Sequence, residues 1–510
     1  MISIYIAVAS FIMSVFYFVV LLPLVPLLKI KLQLGQKAVL MYYPFAGLSK
    51  IWNDSITKEK DLLKTINQQL IKNPNVVVIL SNFLHKPLLI WTGSEYIKDM
   101  YLDHTSYVKI DPFMVESVGQ KGLVLSEGDR WKRQRKLLGT AFTFEKLTSR
   151  LPMINQVIEK VSKDDKKRNL NEFTSRITGE VVIHSFFGES TNGFQIEGKD
   201  AQISIVEILS EIFLLPMNNP FIQFKQMLFE YKSWSIFPTQ KEKDLLRRIY
   251  NFKQVIQEMI EKRIEQLKNQ QLENQDKMVF LDLYVTEYLK QQQDKKQEID
   301  IEEIIHQFIT LFFAGTDTTA TTSGTCLYYL AEYPEMQNEI LKEVIEIVGE
   351  QGDIKEEHLN KLVKINALIQ EVLRLRNPAF CPIFRTVRQD KQLLDVKMKK
   401  GWFTLQYHIG PGLLDKHFEN AQQFDYKRWL NKGNVIKNDN GFIHIPFAAG
   451  PRNCLGQHMA IMEIKMIIAR LVRQYKIQLN PKVKQITFGM KFLYCVEPDN
   501  CLIFEERNSG

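Results

Sequence analysis

The sequence predicts a mainly α-helical domain with small β-sheet regions, preceded by one N-terminal transmembrane helix. Three observations carry that prediction. Residues 2 to 28 contain no charged side chain, helical periodicity dominates most of the remaining chain, and alternating patterns with turn residues gather between about 383 and 410.

The uncharged stretch "ISIYIAVASFIMSVFYFVVLLPLVPLL" exceeds the roughly 20 residues that a helix needs to cross a bilayer. A cleavable secretory signal would show a basic start and a shorter apolar core, so residues 1–28 read as an uncleaved anchor. Lys29, Lys31 and Lys37 follow at once and make residues 29–40 a basic juxtamembrane linker. By the positive-inside rule this puts the remaining chain in the cytosol. Pro23 and Pro26 are placed to kink or end the helix near the interface.

The 510-residue chain would suggest three domains on length alone, but no Gly/Ser-rich linker or internal repeat divides it beyond the anchor. Residues 41–510 therefore read as a single catalytic domain. Residues 250 to 275 show apolar positions at three- and four-residue spacing on a polar background, the pattern of an amphipathic surface helix. Residues 300 to 330 form a long helical stretch with far less charge, which should be buried.

A hydrophobic content of 45% and a charged content of 24% are those of a folded globular chain rather than a disordered one. The net charge of +8 is modest for this length and no basic tract with interleaved aromatics occurs, which argues against nucleic acid as a partner. Cys326, Cys381, Cys454, Cys495 and Cys501 are odd in number, widely spaced and without a CxxC pair. They fit reduced thiols better than a disulfide framework or a structural zinc site.

One of them stands apart. In "FAAGPRNCLGQHM", Phe447, Gly450, Arg452, Cys454 and Gly456 fit FxxGxRxCxG at every fixed position, and an apolar helical stretch, 455 to 474, comes next. Glycines on both sides permit tight turns and close approach of a flat macrocycle to an exposed thiolate. A helix N-terminus favours the thiolate and hydrogen-bonds its sulfur. Arg452 is suited to pair with a carboxylate. The rival readings are a buried structural cysteine and a zinc site pairing Cys454 with His458, for which no nearby segment offers further ligands.

At this residue set the chain resembles the cytochrome P450 family, and the resemblance covers essentially everything after the anchor. It implies the P450 fold, haem b (iron protoporphyrin IX) as cofactor, and Cys454 as the axial thiolate on the iron. It also implies a role for "AGTDTT" inside the long buried helix, where a glycine and an acid are both costly. Ala314 and Gly315 would let the backbone pass close to a ligand, while Asp317 and Thr318 would support proton delivery during oxygen activation. Plain helix packing is the bland alternative. Some P450 fatty-acid hydroxylases carry a glutamate at the position of Ala314 and use it to attach haem covalently; its absence argues against such attachment here.

Further matches come in the family's chain order. Trp131 and Arg135 of "WKRQR" lie one helical turn apart and, with Arg385 and Arg452, would bind the haem propionates; an exposed basic helix is the alternative. Glu371 and Arg374 of "EVLR" are spaced for an ion pair, and Arg428 of "FDYKRWL" would join it as a structural cluster. The family usually has Pro-Glu where this chain has Tyr426 and Lys427, and His and Pro where it has Arg376 and Asn377. The first departure questions the local turn; the second bears on substrate-side packing more than on haem ligation. Phe312, Phe313, Phe380 and Ile383 suggest a lipophilic pocket, though aromatic core packing explains them equally well.

The resemblance thus implies a monooxygenase of the endoplasmic reticulum membrane, single-pass with its catalytic domain cytosolic. It would insert one oxygen atom into a lipophilic small molecule. Electrons would come from NADPH through a separate NADPH-cytochrome P450 reductase, with cytochrome b5 as a further candidate partner. Lys132, Arg133 and Lys136 offer a basic patch for such a partner. The rival functions are a peroxide isomerase or dehydratase on the same fold and a non-catalytic haem sensor.

Overall fold

The computed structural model describes residues 2–43, 54–73, 76–79, 87–109, 119–164, 168–188, 195–269, 279–294, 298–380, 383–430, 436, 440–491 and 493–507. Cys381 and residues 270–275 of the amphipathic stretch lie outside them.

The apolar N-terminus is helical but divided. An α-helix over Ile2–Phe16 passes through a π-helical turn, Tyr17–Leu21, into a second helix, Leu22–Leu34, with Pro23 in its first turn and Pro26 inside it. Among the described residues, no helix is long and apolar enough to cross a membrane. Residues 29–40 hold the end of the second helix and the start of a strand, Ala38–Met41. Leu27, Ile30 and Leu34 are buried in one apolar cluster with Ala38, Leu89 and Trp91. Lys31 donates to the carbonyls of Gly35 and Ala38, and Lys37 pairs with Asp395.

The rest is mainly helical with small sheets. The largest sheet has six strands in the order Ala38–Met41, Val76–Ile79, Leu88–Trp91, Phe403–Gln406, Arg385–Val387 and Tyr107–Lys109. The 383–410 region supplies two of these strands and a separate hairpin, Lys391–Leu393 with Val396–Met398, as the alternating pattern predicts. The amphipathic stretch lies in a helix over Gln240–Asn269.

The long low-charge stretch is the central helix, Ile301–Glu332, and most of its side chains are buried. It starts where the Asp300 carboxylate accepts from the Glu303 N–H at 2.6 Å, satisfying one of the free donors of its first turn. It packs against several helices, among them Leu170–Phe187, Gln240–Asn269, Val363–Leu375 and Gln457–Gln474. The last of these, the cysteine helix, begins two residues later than the sequence pattern suggests, with Gly456 as its N-cap.

Candidate haem-thiolate site

The cysteine loop is built by two backbone features. Ala448 and Gly450 both have positive φ, +59° and +69°. At Gly450 a Cβ would stand 2.6 Å from the Tyr101 carbonyl oxygen, so this position combines left-handed backbone with no room for a side chain. The loop closes with the Cys454 N–H donating to the Phe447 carbonyl at 2.9 Å. Gly456 is different: a Cβ there would meet only Phe142, at an ordinary 3.6 Å.

Cys454 is exposed by surface area although protein surrounds it almost completely, so its thiol faces an interior space rather than bulk water. Burial pushes the thiol pKa up, opposed by a hydrogen bond from the Gly456 N–H and by the charge of Arg135. For the protein alone, burial therefore outweighs the helix-end effect expected from sequence. Ala314 is likewise exposed in the middle of the buried central helix, between Phe312 and Thr316, both fully buried. Gly315 does not share that face. Its missing Cβ would lie 2.8 Å from Val182, so this glycine admits a neighbouring helix rather than a ligand.

Asp317 is buried, and burial pushes its carboxyl up to about 7. The Thr318 hydroxyl donates to the Ala314 carbonyl at 2.7 Å, within a helix that stays α-helical throughout. Phe312 points away from this face. It packs on Phe308, 5.7 Å between ring centroids, in an aromatic core with Phe186, Phe187 and Phe252, so it is core and not pocket lining.

Four cations gather near the cysteine loop. Lys109 stands directly opposite Arg385 on paired antiparallel strands, a like-charge register that is unfavourable by itself. The Lys109 ammonium is held well below its ordinary range by burial and by the charges of Arg452, Arg385 and Arg135, with Glu127 opposing. Arg452 is lowered to about 10 by burial, opposed by Glu127 and reinforced by Arg385 and Arg135. Burial also lowers Arg385, whose Nε is buried without a hydrogen-bond partner. Glu127 is the carboxylate among the charges acting on this group, so the cluster carries excess positive charge at the edge of an interior space. A ligand with two carboxylates is what such a cluster suits, and in this respect the residues fit haem.

Arg135 and Arg452 also have protein partners. Arg135 donates from both terminal nitrogens to Asn453, to its carbonyl at 2.7 Å and to its side-chain oxygen, and so braces the residue before Cys454. Arg452 lies over the buried Trp131 ring at 3.8 Å and donates to the Ser126 carbonyl at 2.7 Å. Arg133 is not an exposed partner-binding charge: it is bidentate to buried Glu303 at 3.0 and 2.8 Å, because its face of the helix Gly128–Gly139 meets the start of the central helix. Lys132 and Lys136 are exposed.

Below the site, the charged cluster is assembled as the spacing suggests. Arg374 forks onto Glu371 at 2.9 and 2.7 Å, Arg428 Nε reaches Glu371 at 3.1 Å, and the Trp429 indole N–H donates to it at 2.9 Å. Burial raises the Glu371 carboxyl, but these partners and the Asp425 N–H hold it below its ordinary value. The turn that lacks Pro-Glu is secured otherwise: the Asp425 carboxylate accepts from the Lys427 N–H, while the Tyr426 hydroxyl and Lys427 ammonium both reach Glu339. Arg376 binds Asp61 and the Tyr494 hydroxyl at 2.5 and 2.6 Å. Asn377 donates to the Pro446 carbonyl at 2.9 Å, so the second departure does touch the cysteine loop. Among the described residues no group of three or more His, Cys, Asp or Glu side chains is placed to hold a metal ion.

A family model for cytochrome P450 matches residues 61–501. The chain belongs to the cytochrome P450 family. Curated relatives agree: it is 25% identical to cytochrome P450 3A6 of Oryctolagus cuniculus, over 77% of this chain and 78% of that one. It is 27% identical to the probable cytochrome P450 4ac3 of Drosophila melanogaster, over 79% and 76%. It is 25% identical to cytochrome P450 716A67 of Medicago truncatula, over 78% and 75%. This P450 is thus an enzyme of the haem-thiolate monooxygenase class, with haem held by a cysteine thiolate. Sequence reasoning missed Lys109. Only its pairing with Arg385 gives it meaning, and no motif marks a lone lysine at a strand end.

Proposed function

We propose that this P450 inserts one atom of dioxygen into a lipophilic organic substrate, with haem b that the Cys454 thiolate would hold and electrons from NADPH through a separate reductase. The observation that carries the ligand assignment is the thiol of Cys454 facing an interior space beside four mutually repelling cations.

In this reading Arg385, Lys109 and Arg452 hold the two haem carboxylates, Trp131 supports Arg452, and Arg135 braces the loop through Asn453. Bound haem supplies the redox chemistry of oxygen activation, and the thiolate donates electron density to it. Ala314 leaves room beside the central helix. Asp317, with its carboxyl near 7, takes and returns a proton close to neutral pH, and the Thr318 hydroxyl relays it. Glu371, Arg374 and Arg428 are structural.

A single-pass anchor in the endoplasmic reticulum membrane, with the catalytic domain cytosolic, belongs to the same proposal. Its support is the absence of charge over residues 2–28, the unbroken succession of helical segments over residues 2–34, and the exposure of apolar side chains such as Tyr5, Phe11, Met13 and Phe16. Lys132 and Lys136 remain as exposed cations for a reductase or cytochrome b5.

The test is reconstitution in membranes. Turnover with NADPH and reductase, but not with hydroperoxide alone, is the expected result. Turnover with hydroperoxide alone would favour an isomerase or dehydratase, and haem binding without any turnover would favour a sensor.

A further inference from the structure

The loop over residues 119–126 is fastened at both ends by side chains of other elements. On one side lies the central helix. The Lys121 N–H donates to His306 Nδ1 at 3.0 Å and the Leu123 N–H to Gln307 Oε1 at 3.1 Å. The Lys121 ammonium pairs with Asp300 and Glu302. Between the two backbone bonds, Gly122 lies so close to the helix that a Cβ would overlap Thr310 Oγ1 and fall 2.8 Å from the His306 carbonyl. Thr310 and Ala314 are one turn apart on the same face, about 6 Å along the axis. The loop is therefore clamped to the helix one turn before the residue that faces the interior space.

On the other side lie the cations. Lys109 donates through Nζ to the Val124 carbonyl, and Arg452 donates to the Ser126 carbonyl at 2.7 Å. These are two of the four side chains whose excess charge suits the haem carboxylates. Without a dianion Lys109 faces the like charge of Arg385 across paired strands, and the loop hangs by its carbonyls on donors from this crowded positive cluster. With the charge matched, the same donors hold the loop from a settled position.

We infer that loop 119–126 is a strap that couples seating of the haem carboxylates to the wall of the substrate space. Lys109 and Arg452 are its positioning residues at the cofactor end, and His306, Gln307 and the close approach of Gly122 fix it at the helix end. The inference rests on the haem reading and adds to it. The carboxylates do more than retain the cofactor, because they determine how firmly one edge of the pocket is closed.

The experiment compares the full-length protein loaded with haem and with haem dimethyl ester, whose carboxylates are blocked. Amide hydrogen exchange is read over 119–126, alongside spectral binding of imidazole and of the bulkier 4-phenylimidazole. The strap predicts exchange about tenfold faster over 119–126 in the ester-loaded protein, with helix 457–474 unchanged. It predicts the same acceleration in haem-loaded Gln307→Leu, where the Leu123 N–H loses its acceptor. In both, 4-phenylimidazole affinity changes more than imidazole affinity, while the thiolate-shifted Soret band of the reduced carbon monoxide complex is kept. Because Gln307 is buried, the ester comparison on the unaltered chain stands by itself if the variant folds poorly. A retained band with equal exchange over 119–126 for the two cofactors overturns the strap and leaves the haem reading intact. Absence of the band from the haem-loaded unaltered protein removes the haem reading, and the strap with it.

Discussion

Lys109 and Arg385 face each other across neighbouring antiparallel strands, two cations in direct register with Arg452 adding its charge to both Lys109 and Arg385. A fold keeps such an arrangement when something negative completes it. Substituting Lys109→Met should therefore raise the melting temperature of haem-stripped protein while speeding haem loss from the loaded protein. Thermal melts and haem transfer to a scavenger protein measure the two effects. If both quantities worsen together, the cluster serves the fold and not the ligand.

Asp317 makes stability depend on pH in a predictable direction. Its carboxyl sits at about 7 in the folded protein because burial disfavours the charge, against 3.8 for the ordinary group. A raised acid pKa means that the folded state is favoured while the group stays protonated. The penalty for ionisation thus grows as pH rises from about 4 to about 7 and is complete above that, on the order of 4 kcal/mol. Asp317→Asn should flatten this part of the curve. Denaturant titrations at pH 5 and pH 8 check it: the unaltered protein should lose more stability between them than the variant does.

Loss of the Thr318 hydroxyl should leave the cysteine end untouched, since its bond runs to Ala314 within the central helix. Thr318→Ala is expected to keep the thiolate-shifted Soret band and to divert NADPH-derived electrons into hydrogen peroxide. Peroxide formed per NADPH consumed is the measurement. An unchanged ratio would show that proton delivery does not pass through this hydroxyl.

Glu371 and Arg374 are both fully buried, and Arg374 also donates to the carbonyls of Gly412, Ala421 and Gln423. Arg374→Ala takes the fork from a buried carboxylate and one donor from each of several carbonyls, so it should cost about 3–5 kcal/mol in chemical denaturation although Arg428, Trp429 and the Asp425 N–H still reach Glu371. Arg374→Lys should recover little of this, because one ammonium cannot reproduce the fork and the carbonyl bonds. Full recovery by lysine would mean that charge alone holds the turn.

Much of the site is legible in the sequence, and the exceptions share a cause. Cys454, Gly450 and Arg452 are legible because they lie in one contiguous motif whose local backbone fixes their relation. Glu371 and Arg374 are legible for the same reason, being one helical turn apart. Lys109, Gly122 and Gln307 are not, because their roles arise only when strand register and loop docking bring distant segments together. Arg133 and Phe312 show another limit: their helices are expected, but periodicity does not say which neighbour a face meets, and both turn to the interior. Gly315 is expected beside a ligand and instead makes room for Val182, a distinction that only the packing of two helices decides.

The reduced carbon monoxide difference spectrum decides whether Cys454 ligates the iron, when the haem-loaded unaltered chain is set beside Cys454→Ser. The thiolate-shifted Soret band should be present in the first and lost in the second, with the cysteine variant still folded by circular dichroism. Persistence of that band in Cys454→Ser would place the sulfur ligand elsewhere and contradict the assignment.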